Sequence, residues 1–276
     1  MRLFVTGGTG FIGSHFLNLA IANNHHVVAI RRNEDSKPRI PLAAEPEWLT
    51  KSLNNIVESD LEGTDCLVHL ASCGVTQSES WETLFQVNVL ESLNLWNRAI
   101  NAGIKKLIIC GSCFEYGRSG EHYEFIPVDA PLLPATPYAA SKAAASTAAI
   151  GLASDKEISI TIMRPFHVYG EGEDMCRLWP SLRMAALLGK NYPMTAGQQV
   201  RDFVKVEIVA CAFLAEATQQ NFQFGQALVR NLGSGQPQTV LSFCQTWWKK
   251  WNAAGAIQPG AIAYRKNEVL RYVPQL

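Results

Sequence analysis

Three side chains in the middle of the sequence could act together on a carbonyl or an alcohol: Ser112, Tyr138 and Lys142. Tyr138 and Lys142 are four apart in an alanine-rich stretch that opens after Pro137, so on a helix they share a face and can point into one cleft. A cation beside a phenol favours phenolate. The pairing therefore predicts a Tyr138 pKa lowered toward the working range, suited to proton exchange with a sugar or alcohol oxygen. Ser112 stands just past a strand-like run, in Ile109-Cys110-Gly111-Ser112-Cys113-Phe114-Glu115-Tyr116-Gly117. At the carboxyl end of a parallel strand its hydroxyl can bond the reacting oxygen. The Tyr-x-x-x-Lys spacing alone is common by chance, and it gains weight only from its surroundings.

A second cluster lies at the other end of the chain, in Thr6-Gly7-Gly8-Thr9-Gly10-Phe11-Ile12-Gly13. It follows a strand-like run and opens a helical one, with a second strand-like run after it. Gly7, Gly10 and Gly13 allow a tight turn and a close backbone approach, while the amides of Phe11 and Ile12 sit at the positive end of the helix. That is a cradle for the pyrophosphate of a dinucleotide. An acidic residue about 20 positions further on would accept from the adenosine ribose, and here the second strand-like run ends in Arg31-Arg32 instead. A guanidinium pairs with a 2′-phosphate, which favours NADP(H), NADPH as reductant, with NAD possible. The competing reading has Arg31 and Arg32 solvating a loop while Glu34 or Asp35 takes the ribose. Asp60-Leu61, just before the next strand-like run, could receive the adenine.

These groups need a frame. Strand-like runs at 3–6, 26–30, 66–71, 106–110 and 158–163 alternate with helical stretches at 11–24, 81–102 and 138–153. Parallel strands require crossovers of that length, so the pattern predicts a doubly wound α/β fold, a parallel Rossmann sheet. From about 166 the alternation degrades into a helix at 178–188, another at 206–217 and a strand at 227–231, predicting a smaller α/β C-terminal substrate-binding part. The expected division is a dinucleotide-binding domain over 1–165 and a substrate part over 166–276, interleaved with the first. Residues 32–46 read as a surface excursion without a core of their own.

The chain has 276 residues, 47% hydrophobic, with 24 basic against 24 acidic side chains. It is long enough for a substantial core, and its balanced charge disfavours nucleic acid and anionic lipid as partners. The apolar run before the first glycines is too short for a signal peptide or a membrane span, which predicts a cytoplasmic protein. Seven cysteines, several in apolar runs, are expected as free thiols. Cys110-Gly111-Ser112-Cys113 is formally C-x-x-C, but it has no second metal pair, and no metal is expected.

Taken together, the glycine motif, Ser112, Tyr138 and Lys142 resemble the extended short-chain dehydrogenases/reductases, the NAD-dependent epimerase/dehydratase family acting on nucleotide sugars. Further matches are His69-Leu70-Ala71, Asn88, Arg164-Pro165-Phe166-His167-Val168-Tyr169-Gly170, Arg201-Asp202-Phe203 and Asn231-Leu232-Gly233. The resemblance implies cofactor contacts for Leu70, Ala71, Asn88, Pro165 and His167 besides Tyr138 and Lys142. It implies substrate contacts for Ser112, Cys113, Phe114 and His167, a diphosphate contact for Arg201, and a nucleotide contact for Arg177 or Trp179 at the start of the 178–188 helix. Tyr264-Arg265-Lys266-Asn267-Glu268 resembles a segment whose arginine approaches the diphosphate, making Arg265 a candidate. It also implies a homodimer sealed by the small-residue face of 139–153 against 81–102.

Departures from the family pattern carry the subclass. Sugar 4,6-dehydratases place an Asp-Glu pair after the serine or threonine, where this chain has Cys113-Phe114, so dehydration is disfavoured. Bifunctional epimerase-reductases carry a cysteine two residues after the serine, where this chain has Phe114. His167 replaces the usual asparagine and either bonds sugar or phosphate or sits neutral in the core. The resemblance implies foremost an NADPH-dependent reductase of a nucleotide-linked 4-keto-6-deoxyhexose, for deoxysugar and surface polysaccharide synthesis. A nucleotide-sugar 4-epimerase with tightly bound NAD is the alternative, and a non-catalytic NADP-binding redox sensor is the alternative of another class.

Overall fold

The computed structural model describes residues 1–75, 79–265 and 268–276. Its first half runs β1 (Arg2–Thr6), α1 (Phe11–Ala22), β2 (His26–Arg31), β3 (Glu47–Thr50), α2 (Glu58–Leu61), β4 (Cys66–His69), α3 (Trp81–Phe85), α4 (Ser92–Asn101), β5 (Lys106–Cys110), α5 (Pro137–Asp155) and β6 (Ser159–Pro165). There follow β7 (Val168–Tyr169), α6 (Leu178–Leu187), β8 (Tyr192–Met194), β9 (Val200–Asp202), β10 (Val204–Lys205), α7 (Val206–Thr218), β11 (Gln226–Leu232), β12 (Pro237–Thr239), α8 (Val240–Lys250), β13 (Ile257–Pro259) and β14 (Arg271–Tyr272).

Seven strands pair in parallel in the order β11-β6-β5-β4-β1-β2-β3. Alternation along β1 sends Leu3 and Val5 to a core with Phe16, Leu17 and Phe213 of α1 and α7. Phe4 faces the other core, built on Leu95 and Trp96 of α4 and Ala145 and Ala149 of α5. Helices thus cover both faces, as the expected doubly wound α/β fold requires. The chain winds outward from β1 through β2 to β3, then returns to β4 on the other side of β1. The crevice between the carboxyl ends of β1 and β4 is the topological switch point where such sheets bind ligands.

Three features differ from the expectation. The edge strand β3 was not foreseen, because four residues with Trp48 and Leu49 half-buried carry too little periodicity to read. The helix expected over 81–102 is broken into α3, a wide π turn over Gln86–Glu91, and α4. α8 was not foreseen either, although Phe243, Cys244 and Trp248 supply its buried face. Segment 32–46 has no regular structure but is docked on α1: Asn18 donates to the Pro41 carbonyl at 3.0 Å and accepts from the Ala43 amide at 2.8 Å. Beyond β6 the chain builds small sheets (β10-β7, β12-β9-β14, β13-β8), yet returns β11 to the main sheet beside β6. Among the described residues, no helix is long and apolar enough to cross a membrane.

Candidate active site

The glycine turn sits at the switch point because nothing larger fits. Gly7 has φ +71°, and a Cβ on it would lie 2.6 Å from the Ala71 amide nitrogen; a Cβ on Gly13 would overlap the Gly7 carbonyl. The Gly10 amide donates to the Gly7 carbonyl at 2.9 Å, and Gly10 caps α1 without a side-chain acceptor. The amides of Phe11, Ile12 and Gly13 therefore open the helix uncapped beside a surface that a Cβ would fill. This cradle fits a dinucleotide pyrophosphate.

A buried relay fixes the opposite wall. Thr6 Oγ1 lies 2.8 Å from His69 Nδ1, and His69 Nε2 lies 3.0 Å from Ser92 Oγ. Ser92 donates to the Val87 carbonyl, so Nε2 carries the proton and Nδ1 accepts from Thr6. Thr6 Oγ1 in turn accepts from the Ala71 amide at 3.2 Å, placing Leu70 and Ala71 against the glycine turn. Burial pushes the imidazole down to about 3, so it stays neutral.

Where the adenosine is expected, Arg31 at the end of β2 donates to Thr50 Oγ1 at 3.2 Å and lies 5.6 Å from the Trp48 ring centre, while Arg32 is exposed. Asp60 binds Lys51 at 2.7 Å through both oxygens and accepts from the Val57 amide, and the Leu61 side chain is buried in the core.

α5 begins where Thr136 accepts from the Ala139 amide and Pro137 occupies the first turn. One turn apart, Tyr138 and Lys142 face the end of β5, where Lys142 Nζ donates to the Cys110 carbonyl at 2.7 Å. Ser112 starts a tight turn: its Oγ accepts from the Phe114 amide at 3.2 Å, and its own amide donates to Glu115 at 2.7 Å. Glu115, 0% exposed, meets Arg164, 2% exposed, at 2.8 Å. Arg164 also donates to Tyr116, whose hydroxyl donates to Asn231 at 2.7 Å. The serine turn thus stands on a closed ionic network. The lowered Tyr138 pKa expected from Lys142 is not what the fold sets up: burial pushes the phenol up, with the hydroxyls of Ser72 and Ser112 pulling part of the way back. The physical reason is that Lys142 spends its nearest contact on a backbone carbonyl while the phenol loses water.

Asn88, in the π turn, accepts from the Cys73 amide at 2.9 Å and donates to the Cys73 carbonyl at 3.1 Å and to Ser141 at 3.0 Å. It ties the loop after β4 to α5. Pro165 ends β6 opposite Leu232, and the next ring, Phe166, is buried against Tyr116 and Tyr272.

The side expected to face substrate is built of rings. Phe114 packs edge-on to Tyr138 at 6.5 Å and to His167 at 6.3 Å, and His167 also meets Phe203 and Tyr272. His167 Nε2 is buried without a partner among the described residues, and burial with Arg201 and Arg177 nearby holds the imidazole well below its usual range. Cys113 is buried, its thiol pushed up to about 12 by burial and its carbonyl bonded by Tyr272 at 2.6 Å. Arg177 lies 3.7 Å from Glu173, whose Oε2 also lacks a partner and whose carboxyl is pushed up to about 7 by burial. Arg201 is turned inward: it binds Glu268 at 2.8 Å and the carbonyls of Val200, Val269 and Leu270. Arg265 is exposed, and its carbonyl accepts from the Glu268 amide. Lys266 and Asn267 of that segment lie outside the described residues.

Ser112, Tyr138, Lys142, Cys113, Phe114 and His167 come together, whereas Arg201 is absorbed in internal bonds and Arg265 is exposed. Sequence reasoning assigned no role to Ser72, Glu173, Phe203 and Tyr272. It also missed the Glu115–Arg164 pair, although the Ser-x-x-Glu spacing from Ser112 to Glu115 is a readable capping signal.

Residues 3–229 match the NAD dependent epimerase/dehydratase family. The UDP-glucose 4-epimerase of Corynebacterium glutamicum is 26% identical over 261 residues, covering 87% of this chain and 77% of that relative. The CDP-abequose synthase of Salmonella muenchen is 23% identical over 271 residues, covering 98% and 87%. The fold superposes on the UDP-N-acetylglucosamine 4-epimerase of Methanobrevibacter ruminantium M1 with a TM-score of 0.88 at 24% identity, covering 100% of this chain and 89% of that one. With a match over most of its length, a glycine cradle at the switch point and a Ser-Tyr-Lys cluster beside it, this chain is an enzyme of the NAD dependent epimerase/dehydratase family, the extended short-chain dehydrogenases/reductases.

Proposed function

We propose that the protein reduces the C4 ketone of a nucleotide-linked 4-keto-6-deoxyhexose with NADPH. One observation carries the choice: among the described residues, Tyr138 is the group beside Ser112 that is placed to exchange a proton. The neighbouring position is the Phe114 ring, the Cys113 thiol is pushed up to about 12, His167 is held neutral, and Glu115 is closed in by Arg164. A single proton donor suits interconversion of ketone and alcohol, whereas elimination of water from a sugar needs a second acid-base group. The relatives' printed activities, epimerisation of UDP-sugars and synthesis of CDP-abequose, point to a sugar carried on a nucleoside diphosphate.

The amides of Phe11, Ile12 and Gly13 would hold the pyrophosphate, and Lys142 would hold the nicotinamide ribose. Bound nicotinamide supplies the hydride. Tyr138 Oη gives its proton to the developing C4 alkoxide, and Ser112 Oγ donates to that oxygen and orients it. Phe114, the exposed ring of the set, would pack against the apolar face of the sugar, with Phe203 and Tyr272 buried behind His167. Arg31, at the position where a carboxylate would repel it, supports a 2′-phosphate and hence NADPH over NADH.

The presence of 4-epimerases among the relatives favours one alternative, epimerisation at C4 with a retained NAD. Incubation with NADPH or NADH and a panel of UDP-, GDP-, CDP- and dTDP-4-keto-6-deoxysugars, with products read by NMR, separates the two. Stoichiometric release of oxidised cofactor is the expected result. Interconversion of C4 epimers with no net cofactor turnover would replace the reductase reading with the epimerase one.

A further inference from the structure

We propose that segment 32–46 and the loop at 170–176 form a strap closed beside the crevice where the dinucleotide would lie, and that the strap has to part each time cofactor enters or leaves. The inference rests on the glycine turn being the cofactor cradle, as proposed above, and not on the direction of the reaction. Segment 32–46 leaves the carboxyl end of β2, and the 170–176 loop follows β6 and β7. In the sheet β6 and β2 stand four places apart, with β5, β4 and β1 between them, or about 19 Å at the usual strand spacing. The two segments nevertheless touch. Between them they bridge β5, β4 and β1 on the α1 side of the switch point. They meet beside the cradle: His15, one turn past Phe11 and edge-on to its ring at 6.0 Å, donates to the Glu171 carbonyl at 2.9 Å.

The two halves of the strap fit closely but are fastened weakly. Gly172, with φ +82°, lets the chains lie against each other: a Cβ there would stand 2.9 Å from Ile40 Cγ2 and 3.1 Å from Arg39 Cβ. Arg39 reaches Asp174 at 3.5 Å, and the Cys176 amide, donating to Asp174 at 3.1 Å, holds that carboxylate in place. Both partners of the ion pair are open to solvent, where such pairs hold little. Residues 32–45 are all exposed or half-buried, and a segment with few buried contacts opens locally at small cost. Asn18 anchors Pro41 and Ala43 to α1, which leaves 33–40 as the part that swings. The facing wall of the crevice is tied down instead. There the Ala71 amide donates to Thr6 Oγ1, and Asn88 grips Cys73 and the buried Ser141. When one side of the crevice has to move, it is the strap.

The test compares the unaltered chain with Gly172→Ala and with the double variant Arg39→Cys, Gly172→Cys, all full length. Without cofactor, trypsin should cut the Arg39–Ile40 bond at least about fivefold faster in Gly172→Ala, because the added Cβ pushes the strap open. Stopped-flow fluorescence with NADPH and with NADH should show association and dissociation both faster by roughly 5- to 50-fold in that variant, with Kd within about threefold. A strap that only gates the path changes both rates alike. In the double variant the oxidised strap, its 39–172 cross-link identified by peptide mass, should slow both rates at least about tenfold, and dithiothreitol should restore them. Unchanged rates in Gly172→Ala, cysteines that do not join, or a joined strap that exchanges cofactor freely overturn the proposal. A dissociation rate raised alone, with Kd weakened to match, overturns it in favour of a direct contact with cofactor. Cofactor bound by Gly13→Ala as tightly as by the unaltered chain would instead remove the cradle on which the strap rests, while the trypsin and cross-linking results stand apart from it.

Discussion

Acidification from about pH 7.5 to about pH 5 should weaken the fold by about 2 kcal/mol through His69 alone. The imidazole is buried with both ring nitrogens bonded and is pushed down to about 3, whereas in an unfolded chain it titrates near ~6.5. Its folded pKa is depressed, so its contribution is fully present above the unfolded value and is lost as pH falls from there toward about 3. At about pH 5 the unfolded chain binds the proton and the folded chain does not; RT ln(1 + 10^1.5) is then about 2 kcal/mol. Glu173 works in the opposite sense. Its carboxyl is raised to about 7 when folded, so its contribution is present below the ordinary carboxylate range and is lost as pH rises through about 7. The raw pH profile of the protein therefore mixes the two, and the diagnostic quantity is a difference. Urea unfolding of wild type and His69→Gln at both pH values isolates it: the wild type should lose about 2 kcal/mol more than the variant. Because the folded His69 stays neutral across this interval, its hold on Thr6, and through Thr6 on the Ala71 amide beside the glycine turn, should persist, and cofactor affinity should not weaken on its account. Equal losses in the two proteins would refute the assignment of a neutral, doubly bonded His69 and the relay built on it.

Tyr138→Phe should keep cofactor binding, measured by fluorescence titration, and lose turnover by about 10³-fold or more; near-normal kcat would remove the Tyr138 mechanism. Gly13→Ala places a Cβ on the Gly7 carbonyl, so the turn must open and the cofactor Kd should rise at least about tenfold, checked by calorimetry. Glu115→Ala strands the buried Arg164 guanidinium and should destabilise the protein by about 3–5 kcal/mol in urea unfolding, with a larger loss in kcat than in cofactor affinity because the Ser112 turn loses its support.

Local patterns carried the parallel sheet and the placing of the candidate site residues near one another. Short Val- and Ile-rich runs separated by crossover-length segments leave few topologies open, and a glycine turn between a strand and a helix binds phosphate through backbone groups that any sequence of that shape presents. Ser112, Tyr138 and Lys142 were legible for the same reason: each sits at a fixed offset from an element end, and i, i+4 spacing on a helix dictates a shared face. The inward turn of Arg201 was not legible, since it depends on carbonyls of Val269 and Leu270 that are remote in sequence. The Glu115–Arg164 pair, the His69 relay and the placing of Ser72 by Asn88 likewise join residues from different elements. The direction of the Tyr138 shift was settled there too. Spacing shows that a cation is near, but burial and the competing Cys110 carbonyl decide which form of the phenol is favoured, and both exist only once β5, α5 and the loop after β4 have closed around it.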